Sequence, residues 1–235
     1  MAEPVADVVL CWDIDGTLLT TDRAGIGAWE DAVRRVTGRA RSLAHLRTAG
    51  LTDVEIGRAI LDTEGVAPDE PVVADLLAHY EERLPTRLGD RCGRVLPGVR
   101  EFLDWNREAG GLRCMLLTGN TAAGARAKLE HSGLAEFFPR GAYASLSASE
   151  RVAVARAALG IAQDWLGAAF RPGRMLVIGD TPHDVACGTA VGARTLAVGT
   201  GEYSPDELAR AGAWRTVARL PEPAALARLA VEDAT

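Results

Sequence analysis

Val8-Val9-Leu10-Cys11-Trp12 runs directly into Asp13-Ile14-Asp15-Gly16-Thr17-Leu18, and the reading of this junction decides the fold. The apolar run reads as a strand buried on both faces, and two carboxylates follow it one residue apart. Successive side chains of an extended chain point to opposite faces, so Asp13 and Asp15 converge only if the backbone bends beyond the strand. Gly16 permits that bend. One carboxylate could then attack a substrate while the other moves a proton, with a divalent cation screening both. Taken alone, the stretch describes an acidic turn closing a strand equally well.

Four further apolar runs resemble the first: Arg113–Leu117, Gly141–Ala144, Met175–Ile178 and Thr195–Val198. Helical patterns separate them at Val99–Ala109, Ala122–Ser132 and Ser149–Leu159, and an Ala-rich helix from Glu222 closes the chain. Strands alternating with helices of this length predict an α/β fold, a Rossmann-like parallel-sheet core with helices on both faces. Continuously apolar strands suit that double burial. Between Asp22 and Arg94 the alternation stops. Ala24–Thr37, Asp53–Glu64 and Asp69–Leu84 read only as helices, and Leu96-Pro97-Gly98 turns the chain back. The expected organisation is a core of residues 1–21 and 96–235 with an inserted α-helical cap domain at 22–95.

The 235 residues are 48% hydrophobic and 25% charged with a net charge of −6, ordinary globular material with enough apolar residues for a core. Without a basic cluster, a nucleic-acid or membrane partner is not expected. No stretch approaches the ~20 apolar residues of a membrane span, and a cytoplasmic location is expected. Cys11, Cys92, Cys114 and Cys187 lack metal-site spacing and read as reduced thiols. Of 26 basic residues, Lys128 is the only lysine.

In open parallel sheets, ligands bind beyond the carboxyl ends of the strands. Strand one ends in Asp13 and Asp15. The second core strand ends in Leu117-Thr118-Gly119-Asn120, a hydroxyl and backbone N–H groups at a helix start, suited to a phosphate or to simple capping. The fourth ends in Ile178-Gly179-Asp180-Thr181-Pro182-His183-Asp184, where Asp184 alone has an alternative as a helix-start acid. After the third come Ser147 and Glu150 at capping-box spacing, which would set Arg151 in a first helical turn. Together these ends describe a site for a divalent metal and a phosphate, with hard oxygens for Mg²⁺ and donors for phosphoryl oxygens.

These motifs resemble those of haloacid dehalogenase superfamily phosphohydrolases with a helical cap, most closely the phosphoglycolate-phosphatase-like group. The resemblance spans essentially the whole chain. It implies that Asp13 is the nucleophile that forms an aspartyl-phosphate and that Asp15 is the acid and base. Thr118 would hold a phosphoryl oxygen, with Gly119 and Asn120 beside it. Mg²⁺ would sit among Asp13, the carbonyl of Asp15, and Asp180, with Asp184 nearby. Relatives usually carry a lysine at the third motif. Here Lys128 lies about two turns into its helix, ~10 Å from its start, so Arg151 is expected to supply the charge and Lys128 to be an exposed, silent position.

The second aspartate argues against a dehalogenase proper, and the lack of lysine at 22–95 against a phosphonatase. The expected substrate is a small phosphorylated metabolite. A sugar-phosphate mutase of the same superfamily is the first alternative, and a non-catalytic phosphate-binding regulatory module the second. In the cap, Arg47, Thr52 and Asp53 around Gly50 form a polar turn that could meet substrate, and Arg23 and Trp29 could reach inward. The assembly is expected to be a monomer or a homodimer.

Overall fold

The computed structural model describes residues 7–109 and 111–234. A six-stranded, wholly parallel sheet has the order β5-β4-β1-β6-β7-β8. Its strands are β1 (Val9–Trp12), β4 (Arg113–Thr121), β5 (Gly141–Ala144), β6 (Met175–Gly179), β7 (Arg194–Val198) and β8 (Arg215–Val217). The helices between them are α4 (Val99–Ala109), α5 (Ala122–Ser132), α6 (Arg151–Leu166), α7 (Pro182–Val191), α8 (Pro205–Arg210) and α9 (Pro223–Val231). All five strands expected from the sequence form. The sixth, β8, has no buried residue and so lacks the apolar run that marks the others.

Alternation along β1 divides the interior. Val9 and Cys11 belong to one buried cluster, and Leu10 and Trp12 to a second on the opposite face. Both faces are thus filled, as a parallel sheet requires. Cys11 pairs in register with Met115 and Val177 and is fully buried. Burial also pushes the Cys114 thiol up to about 12. Neither thiol is a thiolate near neutral pH, as expected for core cysteines.

A two-stranded antiparallel ribbon, β2 (Leu19–Thr20) with β3 (Arg94–Val95), carries the chain out of the sheet region and back. Such short strands have no readable period, and the sequence did not predict them. Between them lie α1 (Ala24–Thr37), α2 (Asp53–Thr63) and α3 (Glu70–Gly89). Trp29 of α1 stacks on Tyr80 of α3 with ring centroids 4.0 Å apart. Both belong to the same apolar cluster as Val9 and Leu117, so the three helices share a core with the sheet face below them. Among the described residues, no helix is long and apolar enough to cross a membrane.

Candidate active site

β1 is flanked by β4 on one side and β6 on the other, so the chain departs from it in both directions. A crevice opens at the carboxyl ends of strands at such a switch point. The Asp13 N–H still bonds the Ile178 carbonyl of β6 (2.9 Å), and beyond it the chain turns sharply, with Leu18 N–H to the Ile14 carbonyl (2.9 Å). Gly16 sits in that turn at φ +80, and a β-carbon there would lie within 2.9 Å of the whole Asp180 carboxylate. No other residue fits without moving Asp180.

Carboxylate oxygens of Asp13, Asp180 and Asp184 lie within 4.8 Å of one another, all buried. Asp180 accepts the Thr17 hydroxyl at 3.0 Å. Burial first, and the neighbouring Asp13 charge second, push its carboxyl up to about 7. Asp184 completes a capping box with Thr181, whose N–H (3.0 Å) and hydroxyl (2.7 Å) donate to its Oδ2, while its Oδ1 takes a hydrogen bond from Arg151 Nη2. The helix-start role raised for Asp184 is therefore filled, and both its oxygens are engaged. Arg151 Nη1 donates to Asp13 Oδ1 at 3.3 Å.

Arg151 is the first residue of α6, as expected, but not for the expected reason. The capping box of Ser147 and Glu150 does not form: Glu150 itself is the N-cap, and the Ser147 hydroxyl pairs instead with Ser145 (3.1 Å). Thr121, with its side chain on the Gly124 N–H, caps α5, leaving Thr118 without a capping role. The Thr118 hydroxyl is fully buried and accepts the Asn120 side-chain amide at 2.8 Å.

Lys128 departs most from expectation. It is 5% exposed rather than a surface position, and its Nζ donates to both Asp15 Oδ2 and Asn120 Oδ1. The helical rise separates its Cα from the start of α5, but side chains tilt towards a helix's N-terminus and the lysine stem spans the gap.

A cavity of about 370 Å³ lies between the strand ends and α1–α3. Its wall includes Asp13, Asp15, Gly119, Asn120, Arg151 and Asp180. Arg23 and Trp29 also reach it, as do Asp53 and Lys128. Two residues singled out from sequence between 22 and 95 do not. Arg47 is exposed and off the cavity wall. Thr52 is fully buried, capping α2 through Glu55 and donating its hydroxyl to the Ser149 carbonyl (2.6 Å). The turn they belong to packs on the strand ends: a β-carbon at Gly119 would sit 2.6 Å from the Leu51 carbonyl. Thr17 and Thr200 are further site residues. The Thr200 hydroxyl donates to the Gly16 carbonyl (2.6 Å), and it follows the fifth apolar run, where the strand-end rule would have found it.

The family model for haloacid dehalogenase-like hydrolases matches residues 10–189. The chain belongs to that family. A comparison with curated protein sequences gave no match. Solved structures with the same fold include a predicted phosphatase from Clostridium acetobutylicum (18% identity, 98% of this chain and 100% of that one, TM-score 0.69). A predicted phosphoglycolate phosphatase from Haemophilus somnus is similar (16%, 95% and 97%, TM-score 0.67). So is a protein assigned as a β-phosphoglucomutase from Thermotoga maritima (18%, 96% and 99%, TM-score 0.61). At these identities the likeness extends to the fold and not to the substrate.

In this haloacid dehalogenase-like hydrolase, Asp53 carries a pH-dependent cost. It is buried at the start of α2 and accepts the Thr121 N–H at 2.8 Å. Burial pushes its carboxyl up to about 6, against the pull of Lys128 and the Thr121 N–H. A folded-state value above the unfolded ~3.9 means that protonation favours the fold, an advantage full below about pH 4 and lost as pH rises through about 6. Asp53→Asn should therefore raise the melting temperature relative to wild type near about pH 7.5, with the gain shrinking to nothing near about pH 4. Thermal denaturation across that range checks it; a gain independent of pH would contradict it.

Proposed function

We propose that the chain is a Mg²⁺-dependent phosphatase that hydrolyses a small, phosphoglycolate-like phosphorylated metabolite through an aspartyl-phosphate on Asp13. Residues 22–95 would act as a helical cap over the core of 1–21 and 96–235. One observation carries the reading: the Asp13 carboxylate faces Asp180 at the strand ends, is held by Arg151, and has Asp15 beside it on the same cavity wall.

The residues present fit a divalent cation. Asp180 is buried beside Asp13, and burial first and the Asp13 charge second raise its proton affinity, a penalty that a cation between the two would offset. Oxygen donors of this kind suit Mg²⁺. The carboxylates of Asp13 and Asp180 and the carbonyl of Asp15 would hold it, with Asp184 orienting Arg151 behind them. Bound there, Mg²⁺ supplies charge neutralisation between a carboxylate nucleophile and a phosphate dianion.

The chain's own groups do the rest. Asp13 attacks phosphorus as the bond to the ester oxygen breaks, and Asp15 gives that oxygen a proton. Asp15 then takes a proton from water, which attacks the phosphorus of the aspartyl-phosphate. Phosphate leaves and Asp13 is restored. Splitting one displacement into two in this way lowers each barrier. Arg151 and the Thr118 hydroxyl stabilise the charge that develops on the phosphoryl oxygens. A cavity of about 370 Å³ walled by Trp29 and Arg23 suits a small anionic or polar ester. A cytoplasmic location and a monomeric or homodimeric state belong to the same proposal.

The test is turnover of p-nitrophenyl phosphate with Mg²⁺, followed by a screen of phosphorylated metabolites. EDTA should silence the enzyme and Mg²⁺ restore it. Activity that survives complete chelation would refute the metal-dependent reading. Phosphoryl transfer to a sugar phosphate, with no phosphate released, would indicate the mutase instead. Binding of phosphate without turnover of any ester would indicate the regulatory module.

A further inference from the structure

We infer that Lys128 is a positioning residue that orients the Asp15 carboxylate, leaving a single oxygen to exchange the proton with the substrate's leaving group. The inference rests on the proposed acid–base role of Asp15 and extends it to a residue outside the motifs.

The geometry is a closed network. Lys128 Nζ reaches Asp15 Oδ2 and Asn120 Oδ1, each at 2.5 Å. The other end of the Asn120 amide donates to Asp15 Oδ2 at 2.9 Å and to Thr118 Oγ1 at 2.8 Å. The ammonium therefore fixes which way the amide faces, and both groups converge on the same carboxylate oxygen. Asp15 Oδ2 has two donors, whereas Oδ1 has no partner among the described residues. The proton that passes to the ester oxygen, and later returns from water, is thus confined to Oδ1.

Satisfying a buried acid does not account for this lysine. The Asp15 side chain is 45% exposed and could be solvated by water, while the Lys128 side chain is only 6% exposed. The costly partner is the cation. Burial lowers its proton affinity, but the charges of Asp15 and Asp53 outweigh burial and raise it overall, so the ammonium stays charged. The use of lysine in a chain that otherwise relies on arginine also follows. A compact ammonium fits between two oxygens 2.5 Å away, where a planar guanidinium fork would need more width.

The experiment compares two substrates in Lys128→Met, Lys128→Gln and Lys128→Arg, alone and combined with Asp15→Asn. An alkyl phosphate needs a proton on its leaving oxygen, whereas p-nitrophenolate leaves without one. Lys128→Met should lower kcat on glycerol phosphate by about 10²-fold, the lower end of the range for general acid catalysis, with KM little changed. On p-nitrophenyl phosphate the loss should be slight, and Lys128→Arg should recover part of the alkyl-ester rate. In the Asp15→Asn background, removing Lys128 should cost nothing more. Equal losses on both esters, or a full further loss in the Asp15→Asn background, would show a merely structural role and overturn the inference. If Lys128→Met does not fold, Lys128→Gln, which keeps a donor but not the charge, should still lose more on the alkyl ester than on p-nitrophenyl phosphate, and Lys128→Arg should lose less of the alkyl-ester rate than Lys128→Gln. The proposed function fails separately: wild type and Asp13→Asn would then be indistinguishable on p-nitrophenyl phosphate, and the Lys128 inference would fall with it.

Discussion

Asp13→Asn is expected to abolish turnover while leaving the protein folded and close to the wild type in stability. The side chain keeps its shape and an oxygen for Arg151 Nη1, so the 3.3 Å contact has a replacement partner. What disappears is the anionic oxygen that would bond to phosphorus, and with it the covalent route. Loss of an enzyme nucleophile typically costs on the order of 10⁴-fold or more, because the remaining groups act as a unit with it. The stability expectation is much smaller, because two effects oppose each other. Asp13 is one of three buried carboxylates whose oxygens lie within 4.8 Å of one another, and its charge helps to push the Asp180 carboxyl up. Removing it relieves that repulsion but also takes a charge from the buried Arg151, so without metal the variant should melt close to the wild type, and Mg²⁺ should stabilise it less. Steady-state assays with calorimetry in EDTA and in Mg²⁺ test both halves. An active Asp13→Asn enzyme would remove the nucleophile from the proposal.

The sheet could be read from its sequence because the physical demand there is one-dimensional. A strand buried on both faces must be apolar along its buried run, and β1, β6, the Cys114–Leu117 part of β4 and the Leu196–Val198 part of β7 are so. Carboxylates directly after such strands are conspicuous for the same reason. Three features escaped because each depends on distance in space. The β2–β3 ribbon is two residues long on each side. Arg151 does start α6, but the capping box expected before it does not form; Glu150 holds the N-cap position without a side-chain cap. Helical rise alone separates Lys128 from the site; the side chain's tilt towards the N-terminus and the Asn120 amide that meets it bring its ammonium back. The residues expected to meet substrate from the 22–95 segment depart for a related reason. Arg47, Thr52 and Asp53 are neighbours in sequence, yet Arg47 faces solvent, Thr52 is spent on capping, and only Asp53 lines the cavity.

Arg151→Ala should damage both activity and stability. The guanidinium bridges two buried carboxylates, Nη1 to Asp13 and Nη2 to Asp184, and its own side chain is 6% exposed. Burial disfavours its charge, but the pull of Asp13 prevails and its proton affinity is raised overall. Truncation leaves two buried acids without their cation, and breaking a buried pair in this way costs about 3–5 kcal/mol. Catalysis should suffer independently. In the proposed mechanism Arg151 is the cation on the nucleophile, and without it Asp13 would meet an incoming phosphate with less of their repulsion offset, for a loss on the order of 10²–10³-fold, comparable to removing one transition-state donor. Arg151→Lys separates the two effects. A lysine carries the charge but not the fork, so it cannot span Asp13 and Asp184 as the two guanidinium nitrogens do. It should recover part of the activity, because neutralising Asp13 requires charge, and less of the stability, because one carboxylate stays unpaired. Chemical denaturation beside kcat measurements resolves this. If Arg151→Lys regained full stability but no activity, the fork would be serving the phosphoryl oxygens and not the carboxylates, and the neutralising role would be wrong.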